Sequence, residues 1–252
     1  MSECVFLAGA TGAIGRRVAP LFVAAGWRVV GTTRSPDKAS ALRQLGVEPV
    51  VLDVFDAAAL HAALAAARPT VVVHQLTDLP PGLDPARMAD ATGRNARIRD
   101  EGTRNLVAAA LAAGVRRMLA QSIAFAYADG PLPHGEDDPL DLGAQGARGV
   151  SVGGVASLER QVLKAPMEGI VLRYGRLYGP GTGFDAPAGA GSVHVDAAAR
   201  ATELAIVRGT PGIYNIAEDD GTLNCEKAKR VLGWNAAWRM PEGAHQAARS
   251  SC

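Results

Sequence analysis

The stretch Cys4-Val-Phe-Leu-Ala-Gly-Ala-Thr-Gly-Ala-Ile-Gly15 decides the fold. Cys4–Ala8 is an unbroken apolar run, the pattern of a strand covered on both faces, and the glycines after it open a helix. Gly9 permits a tight turn. Gly12 lets backbone N–H groups approach a pyrophosphate, and Gly15 lets the helix lie close to the sheet with its N-terminus toward the anion. A dinucleotide-binding turn built from Gly9, Thr11, Gly12, Ala13, Ile14 and Gly15 is therefore predicted.

Outward from this turn, short β-branched runs alternate with Ala/Leu-rich stretches of helical length, which predicts β-α-β units and a parallel sheet. Further strands are expected at 28–32, 48–52, 70–75, 117–122 and 169–173 and at Gly212–Ile216. Helices are expected at Ala57–Ala67, 101–113 and 157–164, with Gly114 ending the second and Pro20 kinking the first. The Gly/Pro-rich stretches 128–154 and 179–192 read as loops leaving carboxyl ends of strands, where an open parallel sheet takes its ligands. The reading is α/β: a Rossmann-like, doubly wound parallel sheet in one domain over 1–252, with about 175–252 supplying a small substrate-covering portion.

Composition narrows the partner. The chain has 252 residues, nearly half of them apolar, and a formal charge of +1, which favours a small molecule over nucleic acid or an anionic membrane. The three cysteines, Cys4, Cys225 and Cys252, have no C-x-x-C spacing, and the five histidines are scattered, so no metal site is predicted. No signal peptide or membrane span is read, which makes the expected location the cytoplasm.

The cofactor can be specified further. The second strand runs into Thr32-Thr33-Arg34, where an NAD-preferring site often carries an acid for the ribose 2'-hydroxyl. Arg34, with Lys38, could instead pair a 2'-phosphate, so NADP is preferred, with NAD as the alternative. Asp53 could accept from the adenine amino group with Val54 against the ring, or could cap the helix starting near Ala57.

With these residues in view, the chain resembles the NAD-dependent epimerase/dehydratase family, the extended and atypical branch of the short-chain dehydrogenases/reductases. The likeness is carried by the Gly9–Gly15 turn, Val71-Val-Val-His-Gln75, Gly102-Thr-Arg-Asn-Leu106, Gly114-Val-Arg-Arg117, Leu172-Arg-Tyr-Gly175, Tyr178-Gly-Pro-Gly181, Val193-His-Val-Asp196 and Lys229-Arg-Val-Leu-Gly-Trp234. It implies substrate bound over the nicotinamide, Leu76 and Thr77 beside the cofactor where the family has small residues, and frequent pairing into homodimers.

The family's catalytic residues map poorly. Its serine after the fifth strand corresponds to Ser122, but its Tyr-x-x-x-Lys falls on Ser151 and Val155. Neither can replace a phenol activated by an ammonium. Displaced proton donors are Tyr127 and Tyr174, with Tyr127 also readable as a residue lining the crevice. His134, Glu136, Asp137 and Asp138 form a polar loop cluster. The leading expectation is an NADP-dependent oxidoreductase of a small carbonyl or alcohol using Ser122 and Tyr127. The alternatives are a cofactor-binding redox sensor without turnover and a non-redox isomerase or lyase.

Overall fold

The computed structural model describes residues 3–241. Along them run β1 (Cys4–Ala8), α1 (Gly15–Ala24), β2 (Arg28–Thr33), α2 (Ala39–Gln44), β3 (Glu48–Val51), α3 (Ala57–Ala67), β4 (Val71–His74), α4 (Pro85–Arg97), α5 (Thr103–Ala112) and β5 (Arg117–Ile123). Then follow α6 (Gly146–Lys164), β6 (Glu168–Tyr174), β7 (Arg176–Tyr178), β8 (Ser192–His194), α7 (Val195–Arg208) and β9 (Gly212–Ile216). Cys252 lies outside the described residues.

Seven strands form one sheet in the order β3-β2-β1-β4-β5-β6-β9, every pair parallel. Because parallel neighbours need crossovers, the helices cover both faces. Side chains alternate accordingly: Val5, Leu7, Val73 and Leu119 meet α1, α2 and α7, while Phe6, Val72 and Met118 meet α3, α5 and α6. The winding direction reverses between β1 and β4, which opens a crevice at their carboxyl ends.

Three expectations meet a different outcome in the structure. The stretch 128–154 is not loop throughout, since α6 starts at Gly146. Its glycines read as loop because they disfavour helix locally, but Gly154 has a packing reason. A Cβ there would lie 3.0 Å from Ala96 Cα, so the missing side chain lets α6 lie against α4. Pro20 sits inside α1, yet the helix runs through it as one segment. The stretch read as one helix at 101–113 begins instead with a π-turn, Ile98–Gly102, that joins α4 to α5.

The portion after β6 is small. β7 and β8 pair in parallel, α7 packs on α1, and a π-turn at Ala228–Leu232 leads to Trp234, whose Nε1 donates to Ala197 O at 2.8 Å. Asp196 anchors this portion to the first helix. Its carboxylate takes Arg17 Nη1 at 2.8 Å and the Met240 N–H at 3.2 Å, both inside the molecule.

Candidate active site

A cleft of about 730 Å³ lies at the carboxyl ends of β1, β2, β4 and β5. Its floor is the glycine turn. Gly9 has φ +88°, and a Cβ on it would sit 2.7 Å from Gln75 O, while a Cβ on Gly15 would strike Gly9 O at 2.2 Å. Only glycine satisfies both positions. The Gly12 N–H closes the turn on Gly9 O, and the Gly9 N–H is held by Thr32 Oγ1. The N–H groups of Thr11, Ala13 and Ile14 have no protein acceptor among the described residues, so the start of α1 presents them to the cleft. This is the donor set a pyrophosphate requires, and the residues present fit a nicotinamide dinucleotide.

Gly9, Thr11, Gly12, Ala13, Ile14, Arg34, Asp53, Val54, Leu76 and Thr77 all line the cleft, and Gly15 lies beneath it as the helix–turn contact. Arg34 stands at the β2 end, where its Nη2 reaches Asp78 at 3.0 Å, and Asp78 also takes Arg94 at 3.1 Å. The hydrogen bond from Arg34 is the main reason the Asp78 carboxyl is held below the usual carboxylate range. Asp53 accepts the Phe55 N–H at 3.0 Å, and Asp56 caps α3 by accepting the Ala59 N–H at 2.9 Å, so the capping role belongs to Asp56. Arg16, which sequence reading passed over, also lines the cleft, beneath Gly181.

Beyond the turn the cleft continues over β4, β5 and β6, and there the expected catalytic residues are missing from its wall. Ser122 is 1% exposed and donates to Glu159 Oε1 at 2.7 Å. Period-two alternation explains the displacement: Gln121 and Ile123 face the cleft, and Ser122 between them faces away. Glu159 is in turn gripped by Arg173 through bonds of 2.9 and 2.7 Å. Tyr127 is also outside the cleft. Its hydroxyl donates to Asn215 Oδ1 at 2.7 Å, its ring stacks on His134, and burial pushes its pKa up.

Tyr174 does line the cleft but is not a free acid. Thr202 gives its proton to Ala198 O, so the Tyr174 hydroxyl donates to Thr202 Oγ1 at 2.6 Å, and burial pushes its pKa to about 12. The Tyr174 oxygen must then accept from Gln75 Nε2 at 3.4 Å. That leaves Gln75 Oε1 buried with no partner in the cleft wall, an acceptor suited to a ligand's N–H or O–H. His74 behind it is neutral. The Leu76 N–H occupies its Nδ1 at 3.2 Å, so Nε2 carries the proton toward Thr103 Oγ1, and burial, with the Arg99 charge second, lowers its pKa to about 4.

The helix carrying the usual phenol and ammonium presents Ser151 to the cleft and buries Val155 against Ile123 and Val152. Facing Ser151 is Arg99, which sequence reading did not single out. The π-turn inserts one residue into the helical repeat and so re-aims this side chain. The loop cluster lies apart from the cleft: His134 pairs Asp138 at 3.1 Å, and Glu136 accepts the Asn215 N–H at 3.1 Å. Cys4 and Cys225 are buried thiols, Cys225 pushed to about 12 by desolvation. Among the described residues no cluster of three or more His, Cys, Asp or Glu could hold a metal, and no helix is long and apolar enough to cross a membrane.

Comparison with known proteins agrees with this geometry. A family described as NAD(P)H-binding matches residues 9–147. A 3-diazoavenalumate denitrifying reductase from a Streptomyces species is 37% identical over 277 residues, covering 91% of this chain and 87% of that protein. In fold, the chain is similar to the UDP-glucose 4-epimerase of Thermotoga maritima solved with UDP-glucose, with a TM-score of 0.76, 18% identity and 99% of each chain covered. It is also similar to the Thermus thermophilus UDP-glucose 4-epimerase solved with NAD, with a TM-score of 0.72, 19% identity and 99% of each chain covered.

Proposed function

The chain belongs to the NAD(P)H-binding family, in the epimerase/dehydratase-like branch of the short-chain dehydrogenases/reductases, and from that premise we propose that it is an NADPH-dependent reductase of a small electrophile. The observation that carries the substrate side of this reading is the cleft wall itself. It holds a dinucleotide turn at one end and, among the described residues, no phenol free to deliver a proton at the other.

NADP(H), when bound, supplies the hydride. The turn residues from Gly9 to Ile14 would hold its pyrophosphate, with Arg34 and Lys38 for the 2'-phosphate and Asp53 and Val54 for the adenine. Leu76, Thr77, Gln121 and Ile123, which line the cleft at the ends of β4 and β5, would hold its nicotinamide half. A single domain, with the portion after about residue 175 covering the substrate, completes the site. Ser122 and Tyr127 hold the sheet-to-α6 and sheet-to-loop contacts and do not meet the substrate.

Reduction without a phenol restricts the electrophile. Hydride addition to a carbonyl leaves an alkoxide that must be protonated. An aryl diazonium consumes no proton overall: hydride adds to the terminal nitrogen to give Ar–N=N–H, the C–N bond breaks, dinitrogen leaves and the one hydrogen gained ends as a C–H bond. The similarity to a denitrifying reductase named for a diazo substrate supports that class. A second reading, reduction of a small carbonyl, is supported by the Arg99–Ser151 contact, which could polarise an oxygen.

The test is NADPH oxidation with an aryl diazonium salt beside a panel of aldehydes and ketones, each corrected for the rate without protein. Catalysed loss of the diazo group with release of dinitrogen is expected. No catalysed rate with either class would overturn the reductase reading and favour a cofactor-binding sensor. Calorimetric titration with NADPH and NADH, on the native chain and on Arg34→Ala, tests the cofactor preference.

A further inference from the structure

Arg99 is the one charged side chain at the β5 end of the cleft that is both buried and without a carboxylate at ion-pair distance among the described residues. It is 7% exposed and lines the cleft. A guanidinium has five donors, yet among the described residues its hydrogen bonding is a single long contact, Nη1 to Ser151 Oγ at 3.3 Å. The carboxylate that acts on it, Glu159, is already held by Arg173 in two bonds and by Ser122 in a third. Burial draws the Arg99 pKa down to about 10, so the group stays cationic at neutral pH with no carboxylate at ion-pair distance among the described residues. Taking an ion out of water without pairing it is unfavourable. A fold keeps such a group where something that binds repays that cost.

We propose that Arg99, with Ser151 beside it, is the receptor for a carboxylate on the substrate. The inference rests on the reductase reading for calling that ligand the substrate, and it adds the ligand's chemical class: a small apolar or aromatic carboxylic acid. The planar fork of Arg99 matches two carboxylate oxygens. One cation suits a monoanion better than a phosphate dianion. The neighbouring wall, Ile98, Ile123, Phe125 and Leu177, is apolar and suits a hydrocarbon body. The pyrophosphate of the cofactor is not the partner, because its donors lie at the start of α1, across β4 from the α4–α6 side that carries Arg99 and Ser151.

The test is calorimetric titration of the full chain, with and without NADP+, using 3-phenylpropionate, its primary amide and inorganic phosphate as probes. The acid should bind at least about ten-fold tighter than the amide, and phosphate more weakly than the acid. Arg99→Met should erase the difference between acid and amide while NADPH affinity stays within about two-fold. Acid and amide binding equally to the native chain, or neither binding, would overturn the proposal without any variant, which covers a failure of Arg99→Met to fold. A large loss of NADPH affinity in Arg99→Met would also overturn it, by making the cofactor the partner. Failure of NADPH to bind the native chain would instead sink the reductase reading, while discrimination of acid from amide by the cofactor-free chain still decides the role of Arg99.

Discussion

Arg34 and Arg99 stand at opposite ends of one cleft and show what solvent does to the same functional group. The Arg34 side chain is 53% exposed and shares Asp78 with Arg94, so its charge is screened and its pairing is exchangeable. Arg99 is buried, has no ion-pair partner among the described residues, and sits where Arg173 has already taken the nearby carboxylate. The exposed cation can gain a ligand at little cost and lose it at little cost. At the buried one, the fold carries an unmet charge until a ligand arrives.

Removing the carboxylate at the buried end should have the largest effect on stability. Glu159→Gln leaves Arg173 unpaired inside the molecule and deprives Ser122 of a charged acceptor, and about 4 kcal/mol of unfolding free energy should be lost. Urea midpoints read this directly. Asp78→Asn at the exposed end should cost under about 1 kcal/mol. Equal losses at the two ends would remove the contrast.

Between those extremes lies a pH effect. His74 titrates near 4 in the folded chain against an ordinary value of 6.5. The unfolded chain therefore takes up a proton first as the pH falls. Stability is full above pH 6.5 and declines toward pH 4, by up to about 3 kcal/mol. Chemical denaturation across that window should show the slope in the native chain and a flatter one in His74→Gln. An unchanged slope would mean that other groups set the acid limit.

The smallest effect belongs to Arg34→Ala. NADPH affinity should fall about ten-fold, with NADH affinity unchanged and the difference shrinking in salt. Stability should move by less than about 0.5 kcal/mol.

The same contrast separates what was legible in the sequence from what was not. The bounds of β1, α3 and β9 and the residues of the Gly9 turn could be read because local chemistry sets them: apolar runs, an Ala/Leu-rich stretch of helical length and glycines that a tight turn requires. The far end of the cleft is set by contacts distant in sequence. Arg99 lies in Arg97-Ile-Arg-Asp-Glu-Gly102, just ahead of the helix expected at 101–113 and with no motif to mark it, and packing against α6 helps bury it. Ser122 matched the motif by position in the chain, but a shift of one residue on a strand reverses the face. The first turns of α6 read as loop in the sequence because their glycines disfavour helix locally, while Gly154 serves the packing of a neighbouring helix.

The bond from Asp196 to Arg17 has a consequence for rebuilding this protein. The helix that opens on the nucleotide turn is tied, through a nearly dry ion pair, to the last third of the polypeptide. A chimera that grafts another relative's cover onto this base, in search of new substrates, must import an acid at that position. Otherwise this ion pair is lost and the base it was meant to preserve is weakened.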